Sequence, residues 1–163
     1  MRFVNYSIAM LLCLMSLGCS SIHDDEEVEE YVRVGDRVPV FTVSVVNGGE
    51  TSTFSTSNLT GETVIVFFHT SCPDCQRELP KLNEYYLRHC NDQGFQMVAI
   101  SRGESAETVA PFWEEHGLQI PYSAQTDRHI YNLFASSTIP RVYFVSAQGI
   151  VTRLLVEDFD LPE

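Results

Sequence analysis

The sequence from Thr63 to Cys75 is TVIVFFHTSCPDC, in which an apolar run leads into a Cys-Pro-Asp-Cys motif. The run predicts a buried β-strand, and Pro73 suits the first turn of a following helix, where its missing N–H costs no hydrogen bond. The free backbone amides of that turn would face the sulfur of Cys72 and favour its thiolate. Cys75 follows one turn later, within reach for a disulfide. This spacing predicts a dithiol that exchanges electrons.

The composition fits one globular domain with an acidic surface. The chain has 163 residues, 44% of them apolar, and carries 22 acidic against 10 basic side chains. Because no basic patch is present to neutralise phosphates, the sequence argues against nucleic acid as a partner. Residues 24–30, DDEEVEE, concentrate part of the acidity in a run typical of a solvated segment.

The N-terminal residues have the pattern of an export signal. Arg2 precedes an apolar stretch at 8–17, which is too short to span a bilayer and is typical of a signal-peptide core. The following SLGCS at 16–20 resembles the processing site of bacterial lipoproteins, although Ser16 stands where that family usually has Leu. By this resemblance Cys19 would carry a lipid. A secreted protein cleaved nearby is the alternative.

This resemblance also divides the chain. Residues 1–18 are predicted to be a signal peptide, residues 19–33 a lipid-anchored acidic tether, and residues 34–163 the folded domain.

Beyond residue 33 the patterning predicts alternating strands and helices. Strands are predicted at 41–46, 50–54, 63–68, 97–100, 142–145 and 150–156, and helices at 73–89, 106–116 and 128–134. The helix that closes the chain is expected to be missing or reduced to 158–163. In the first helix, Cys90 continues the apolar spacing of Leu79, Leu82 and Tyr86 and is predicted to be a buried, inert thiol.

A βαβ unit followed by a hairpin, with the cysteine pair at the first strand-to-helix junction, is the layout of the thioredoxin fold. Over residues 34–156 the chain resembles the extracytoplasmic thiol-disulfide oxidoreductases of the TlpA/ResA kind. The matching stretches are VGDRVPVF at 34–41, the motif at 72–75, ELP at 78–80 and TIP at 138–140. The resemblance implies an α/β protein with a central mixed sheet flanked by helices and an N-terminal β-hairpin extension.

The positions of the two cysteines at the helix start and the same resemblance together assign roles to individual residues. The exposed Cys72 is expected to attack and the deeper Cys75 to resolve, forming the redox disulfide. By resemblance Glu78 would move protons between them, and the alternative is an ordinary exposed helix glutamate. By resemblance Ile139 and Pro140, joined by a cis bond, would bind an extended substrate segment through the Ile139 backbone. Alternatively, Pro140 is an ordinary proline at the start of a strand.

Three residues depart from the family pattern near the motif. Ser71 replaces the usual Trp, His69 replaces a small residue, and Asp74 replaces the commoner Pro or Glu. A carboxylate beside Cys72 raises the cost of its thiolate and favours the oxidised pair, so we predict a reductant. Alternatively, Asp74 caps the first helical turn. His69 either tunes Cys72 or is an ordinary loop histidine.

Three other functions compete with this prediction. A peroxiredoxin would carry Pro and Thr or Ser where this chain has Ile65 and His69, so peroxidase activity is disfavoured. Copper binding would use the cysteine pair with His116 or His129, although the cysteine spacing is one residue shorter than in copper chaperones of this fold. A lipid-anchored interaction module would keep the disulfide only as a staple.

The sequence therefore predicts a thiol-disulfide oxidoreductase that acts on disulfides of exported proteins. We expect a monomer that uses no organic cofactor and no metal. A membrane dithiol protein must re-reduce it, because a cysteine pair turns over only when electrons are returned. Through the lipid on Cys19 the protein would sit in the cell envelope, facing the periplasm or the surface.

Overall fold

A computed structural model describes residues 30–157 and 160–162 as a seven-stranded sheet with two α-helices. The strands are β1 (Thr42–Asn47), β2 (Glu50–Ser55), β3 (Thr63–Phe68), β4 (Gln96–Ser101), β5 (Tyr122–Ser123), β6 (Arg141–Val145) and β7 (Val151–Val156), and the helices are α1 (Pro73–His89) and α2 (Ala106–Glu115). Their order across the sheet is β2-β1-β5-β4-β3-β6-β7. Strands β3, β4 and β5 are parallel and the remaining pairs antiparallel, which confirms the predicted mixed sheet and N-terminal hairpin.

Strand β3 lies between β4 and β6, and all six of its residues are buried. Because successive side chains of a strand point to opposite faces, its last two residues contact different layers. The ring of Phe68 lies 4.8 Å from that of Trp113 in α2, whereas Phe67 packs against Tyr131 and Phe134. Both faces of this strand are therefore covered, and its end is a rigid support for the loop that follows.

The burial of α1 differs from the predicted stripe. The residues that face the core are Cys75, Glu78, Leu79, Leu82 and Tyr85. Tyr86 and Cys90 are only partly buried, so the prediction of a buried Cys90 is wrong. The reason is that Tyr85, not Tyr86, continues the inner face, and its ring packs 5.8 Å from Phe144 of β6.

The predicted helix at 128–134 is reduced to one 3₁₀ turn at Tyr131–Leu133. The turn ends at Phe134, and the next residue, Ala135, forms an antiparallel bridge with Glu30. The two-residue strand β5 was not predicted, since two residues show no periodicity.

Residues 30–33, which the sequence assigns to the tether, pack against the domain instead. Val32 is buried, and its N–H donates to the carbonyl oxygen of Phe134 at 3.2 Å. The domain therefore includes residue 30. The predicted signal peptide, Cys19 and the rest of the tether lie outside the described residues.

The C-terminal residues 160–162 have no regular secondary structure, and Leu161 packs against the core. Residues 158, 159 and 163 lie outside the description, so the predicted segment 158–163 is described only in part. Over the described ranges, no helix has the length and apolar character needed to cross a membrane.

Candidate active site

Cys72 is the N-cap residue of α1, four residues after the end of β3. Its backbone is extended, with φ −82° and ψ 118°, and Pro73 occupies the first turn. The Sγ atom of Cys72 accepts a hydrogen bond from the backbone N–H of Cys75 at 3.3 Å. One of the free first-turn amides thus points at this sulfur. Because Cys72 is only partly buried, a disulfide of another protein can reach it.

Cys75 lies on the inner face of α1 and has no exposed surface. Burial raises the pKa of the Cys75 thiol well above its ordinary value, and the neighbouring Cys72 side chain raises it further. The backbone of His69 and the charge of Arg102 act in the opposite direction. The two thiols are therefore unequal: one is accessible at a helix start and the other is buried and held protonated.

The loop before β6 completes the surroundings of Cys72. The Ile139–Pro140 peptide bond is cis, and Thr138 has a positive φ of 70°. The Cys72 thiol donates to the carbonyl oxygen of Ile139 across 3.7 Å. The structure thus brings the cysteine pair, Cys72 and Cys75, together with Ile139 and Pro140, although more than sixty residues lie between the two pairs in sequence.

Glu78 is fully buried one turn after Cys75 on the same helix. Its Oε1 atom accepts from Arg77 Nε at 2.9 Å, and Lys81 Nζ lies 2.9 Å from Oε2. Both cations are about half exposed, at 51% and 47%, so they cover the carboxylate from the solvent side. Two cations on one buried carboxylate compensate the cost of burying its charge.

Asp74 forms an exposed ion pair with Arg77, whose Nη1 atom lies 2.7 Å from Oδ1. It does not cap α1, because Cys72 holds that position. Arg77 therefore links the carboxylates of Asp74 and Glu78 and screens part of the charge that Asp74 places near the helix start.

His69 takes part in a polar cluster between β3 and α1. Its Nδ1 atom lies 2.9 Å from Ser71 Oγ and 3.4 Å from Oε1 of Glu104. Glu104 is buried and accepts from the backbone N–H of Thr70 at 2.8 Å. The carboxylate thus fixes the loop that delivers Cys72, a role that sequence reasoning missed because Glu104 follows a different strand.

Two further residues that sequence reasoning missed hold the loop at 137–139. Arg141 and Tyr131 both donate to its carbonyl oxygens. One signal was present in the sequence: Arg141 is the only charged residue in RVYFV, a strand that is buried throughout.

The described residues offer no support for the copper alternative. Within ranges 30–157 and 160–162, no group of three His, Cys, Asp or Glu side chains is placed to hold a metal ion. His116 donates from Nδ1 to the carbonyl oxygen of Phe112 in the preceding helix, at 2.9 Å.

Comparison with known proteins gives a consistent result. Residues 34–154 match the AhpC/TSA family. The chain is 26% identical to the thiol-disulfide oxidoreductase ResA of Bacillus subtilis over 147 residues, which cover 90% of this chain and 80% of ResA.

Solved structures share the fold. The solution structure of a candidate protein disulfide isomerase from Bacteroides thetaiotaomicron superposes with a TM-score of 0.72 at 23% identity, covering 80% of this chain and 82% of that one. The crystal structure of StoA from Bacillus subtilis gives 0.59 at 22% identity, with coverage of 73% and 88%. These likenesses confirm the thioredoxin-like fold.

Proposed function

Because the chain belongs to the AhpC/TSA family and is ResA-like within it, we infer that it is a thiol-disulfide oxidoreductase working through Cys72 and Cys75. The observation that carries this inference is the contact between the two cysteines. The accessible sulfur of Cys72 accepts a hydrogen bond from the backbone N–H of the buried Cys75, one helical turn away, at 3.3 Å. A nucleophile and a resolving group are thereby held in one rigid element.

The order of the reaction follows from the difference between the accessible Cys72 and the buried Cys75. The Cys72 thiolate attacks one sulfur of a client disulfide, forms a mixed disulfide with it and releases the other client sulfur as a thiolate, which takes up a proton. Cys75 then loses its proton and attacks the Cys72 sulfur. The products are the Cys72–Cys75 disulfide and a client dithiol, so two electrons have moved to the client.

The second step needs a proton acceptor, because the Cys75 thiol is buried and held protonated. Glu78 lies one turn further along the same buried helix face. In our proposal its carboxylate receives the proton of Cys75 as resolution begins. The cations of Arg77 and Lys81 contact this carboxylate from the solvent side.

The backbone at Ile139 is the substrate-binding edge in this proposal. Its carbonyl faces Cys72, so an extended client segment lying along the loop would place its disulfide against the sulfur. Backbone pairing of this kind accepts many sequences, because it uses no side chain of the client.

We assign the protein the direction of a reductant. The carboxylate of Asp74 lies in the first turn beside Cys72, and a negative charge there favours the disulfide over the thiolate. Equilibration with glutathione should give a midpoint potential far below that of DsbA, which is about −120 mV. A value as oxidising as that of DsbA would refute the assigned direction.

The proposed setting is the cell envelope. A lipid on Cys19 would hold the domain at a membrane, facing the periplasm or the surface, where exported proteins form disulfides. A membrane dithiol protein would return electrons to the oxidised pair. Globomycin treatment, which blocks lipoprotein processing, should leave the uncleaved precursor if Cys19 is the lipidation site.

Thiol trapping tests the activity itself. Cys75→Ser removes the resolving thiol and should accumulate mixed disulfides through Cys72 in the native host. The matched control is Cys75→Ser combined with Cys72→Ser, which should trap nothing. Adducts that persist in the control would arise from other cysteines and would count against the proposal.

A further inference from the structure

The guanidinium of Arg141 is buried directly behind the proposed substrate-binding loop. The residue has no exposed surface, although arginine is almost never fully buried without a partner. Its Nε atom donates to the carbonyl oxygens of Ser137 and Thr138, at 3.2 and 3.0 Å. Nothing in the reaction described above uses this buried cation.

Tyr131 also holds this loop by hydrogen bonds. Its hydroxyl donates to the same two carbonyl oxygens, and the bond to Thr138 is 2.9 Å long. The carbonyls of Ser137 and Thr138 are thus turned inward, while that of the next residue, Ile139, faces Cys72. The positive φ of Thr138 produces this reversal, and a β-branched residue adopts such a backbone only where its surroundings hold it.

Glu30 supplies the opposite charge. Arg141 Nη1 donates to Glu30 Oε1 at 3.1 Å, and the Glu30 side chain is about one-third exposed, at 33%. Glu30 is fixed in turn by its bridge to Ala135, in the segment that leads to the loop. Removing such a partner leaves a buried charge uncompensated and strongly destabilises a protein, so this ion pair ties residues 30–33 to the loop at 137–139.

We propose that Arg141 is a positioning residue that sets the Ile139 backbone for substrate, and that Glu30 is the counter-ion that holds the Arg141 guanidinium in place. The proposal rests on the proposed thiol-disulfide exchange. It adds that substrate engagement depends on a residue 111 positions away in sequence.

Two disulfide substrates distinguish this positioning role from general support of the fold. An extended peptide dimer linked by one disulfide must lie along the Ile139 backbone, whereas 5,5′-dithiobis(2-nitrobenzoate) reacts with Cys72 without pairing to it. The measurement is the second-order rate constant of the pre-reduced full chain with each. For Arg141→Met we expect at least a tenfold loss with the peptide and less than a twofold change with the small disulfide.

Further variants test the ion pair. Glu30→Gln should lose about threefold with the peptide only, and should add nothing in the Arg141→Met background, because the two residues act as one unit. The peptide rate of Arg141→Lys should fall between those of wild type and Arg141→Met, since Lys keeps the charge but lacks the planar set of N–H donors of a guanidinium. The control is Arg153→Met on β7, an exposed Arg over the Phe144 ring, which should leave both rates unchanged.

The outcomes are decisive. Equal losses with both disulfides, or no loss with the peptide, in folded Arg141→Met would overturn the inference. If that variant does not fold, an unchanged peptide rate in Glu30→Gln overturns it. A wild-type protein that reduces neither disulfide would instead refute the proposed function, on which this inference depends.

Discussion

Cys72 and Cys90 cap opposite ends of one helix, Cys72 at the N-terminus and Cys90 at the C-terminus of α1. Both are partly buried free thiols, so their accessibility is comparable. The helix field differs in sign, because its N-terminus stabilises a negative charge and its C-terminus destabilises one. Cys90 is therefore an internal reference for the reactivity of Cys72.

Alkylation of the reduced protein should follow the order Cys72, Cys90, Cys75. Cys72 should react with iodoacetamide about fivefold faster than Cys90, as the two helix ends together are worth on the order of 1 kcal/mol. Cys75 should react last, because it is buried. Mass spectrometry of the labelled peptides over time gives the three rates. Equal rates at Cys72 and Cys90 would contradict the helix-field argument.

Glu78→Gln should slow resolution and leave the first attack unchanged. The amide cannot take the proton of Cys75, so we expect release of the mixed disulfide to slow at least about tenfold. Stopped-flow kinetics with a chromogenic client thiol separates the two steps. The matched control is Glu84→Gln, an exposed carboxylate on the same helix. An unaltered second step would remove Glu78 from the mechanism.

Asp74→Asn should make the dithiol slightly more oxidising. Removing the carboxylate eases formation of the Cys72 thiolate, and for an exposed group already paired with Arg77 we expect a rise of roughly 10–30 mV. Equilibration with glutathione measures it. Asp92→Asn is the control, since Asp92 pairs with His89 at the other end of α1. A fall in potential would show that Asp74 does not oppose the thiolate.

Most of the fold could be predicted from local patterns. The run in β3 and the start of α1 are fixed by residues that are neighbours in sequence, so periodicity and Pro73 are sufficient. The strand β5 could not be predicted, because it exists only through pairing with β1 and β4. The helix expected at 128–134 is short for a similar reason, since Ala135, directly after it, is held in a bridge to the distant Glu30.

The candidate site divides in the same way. The motif cysteines and Glu78 lie within one short stretch, and their shared helix face follows from helical spacing. The residues that support the site could not be predicted in this way, because each contacts a distant part of the chain. Glu104 holds Thr70 from the loop after β4, and Arg141 is bound to Glu30. The one charge in RVYFV is a signal that Arg141 is unusual, but no sequence pattern indicates which distant residue compensates its charge.

Gly61→Ala should destabilise the domain by roughly 2–4 kcal/mol. A Cβ atom at residue 61 would lie 2.5 Å from the carbonyl oxygen of Gly94, where the loops before β3 and β4 cross, and backbone atoms cannot give way as a side chain would. The control is Gly48→Ala, whose positive φ is unfavourable but whose Cβ would meet nothing. It should cost about 1 kcal/mol in urea unfolding. Equal costs would contradict the close approach.

The reduced protein should lose stability as the pH rises above about 9, and Cys75 should account for the first part of this loss. Burial raises the pKa of Cys75 above its ordinary 9.0, so an unfolded chain releases this proton while the folded chain keeps it. The stabilising contribution is complete below pH 9 and declines above it, since the unfolded state then binds fewer protons.

Burial also raises the pKa of Tyr85 and Tyr143 from 10.0 to about 12, which adds a loss of the same sign at higher pH. Urea unfolding of wild type and Cys75→Ala between about pH 7 and 11 should give a smaller slope for the variant from pH 9 to 10, because the tyrosine contribution is the same in both proteins. Parallel slopes in that interval would mean that the folded protein ionises Cys75 as readily as the unfolded chain does.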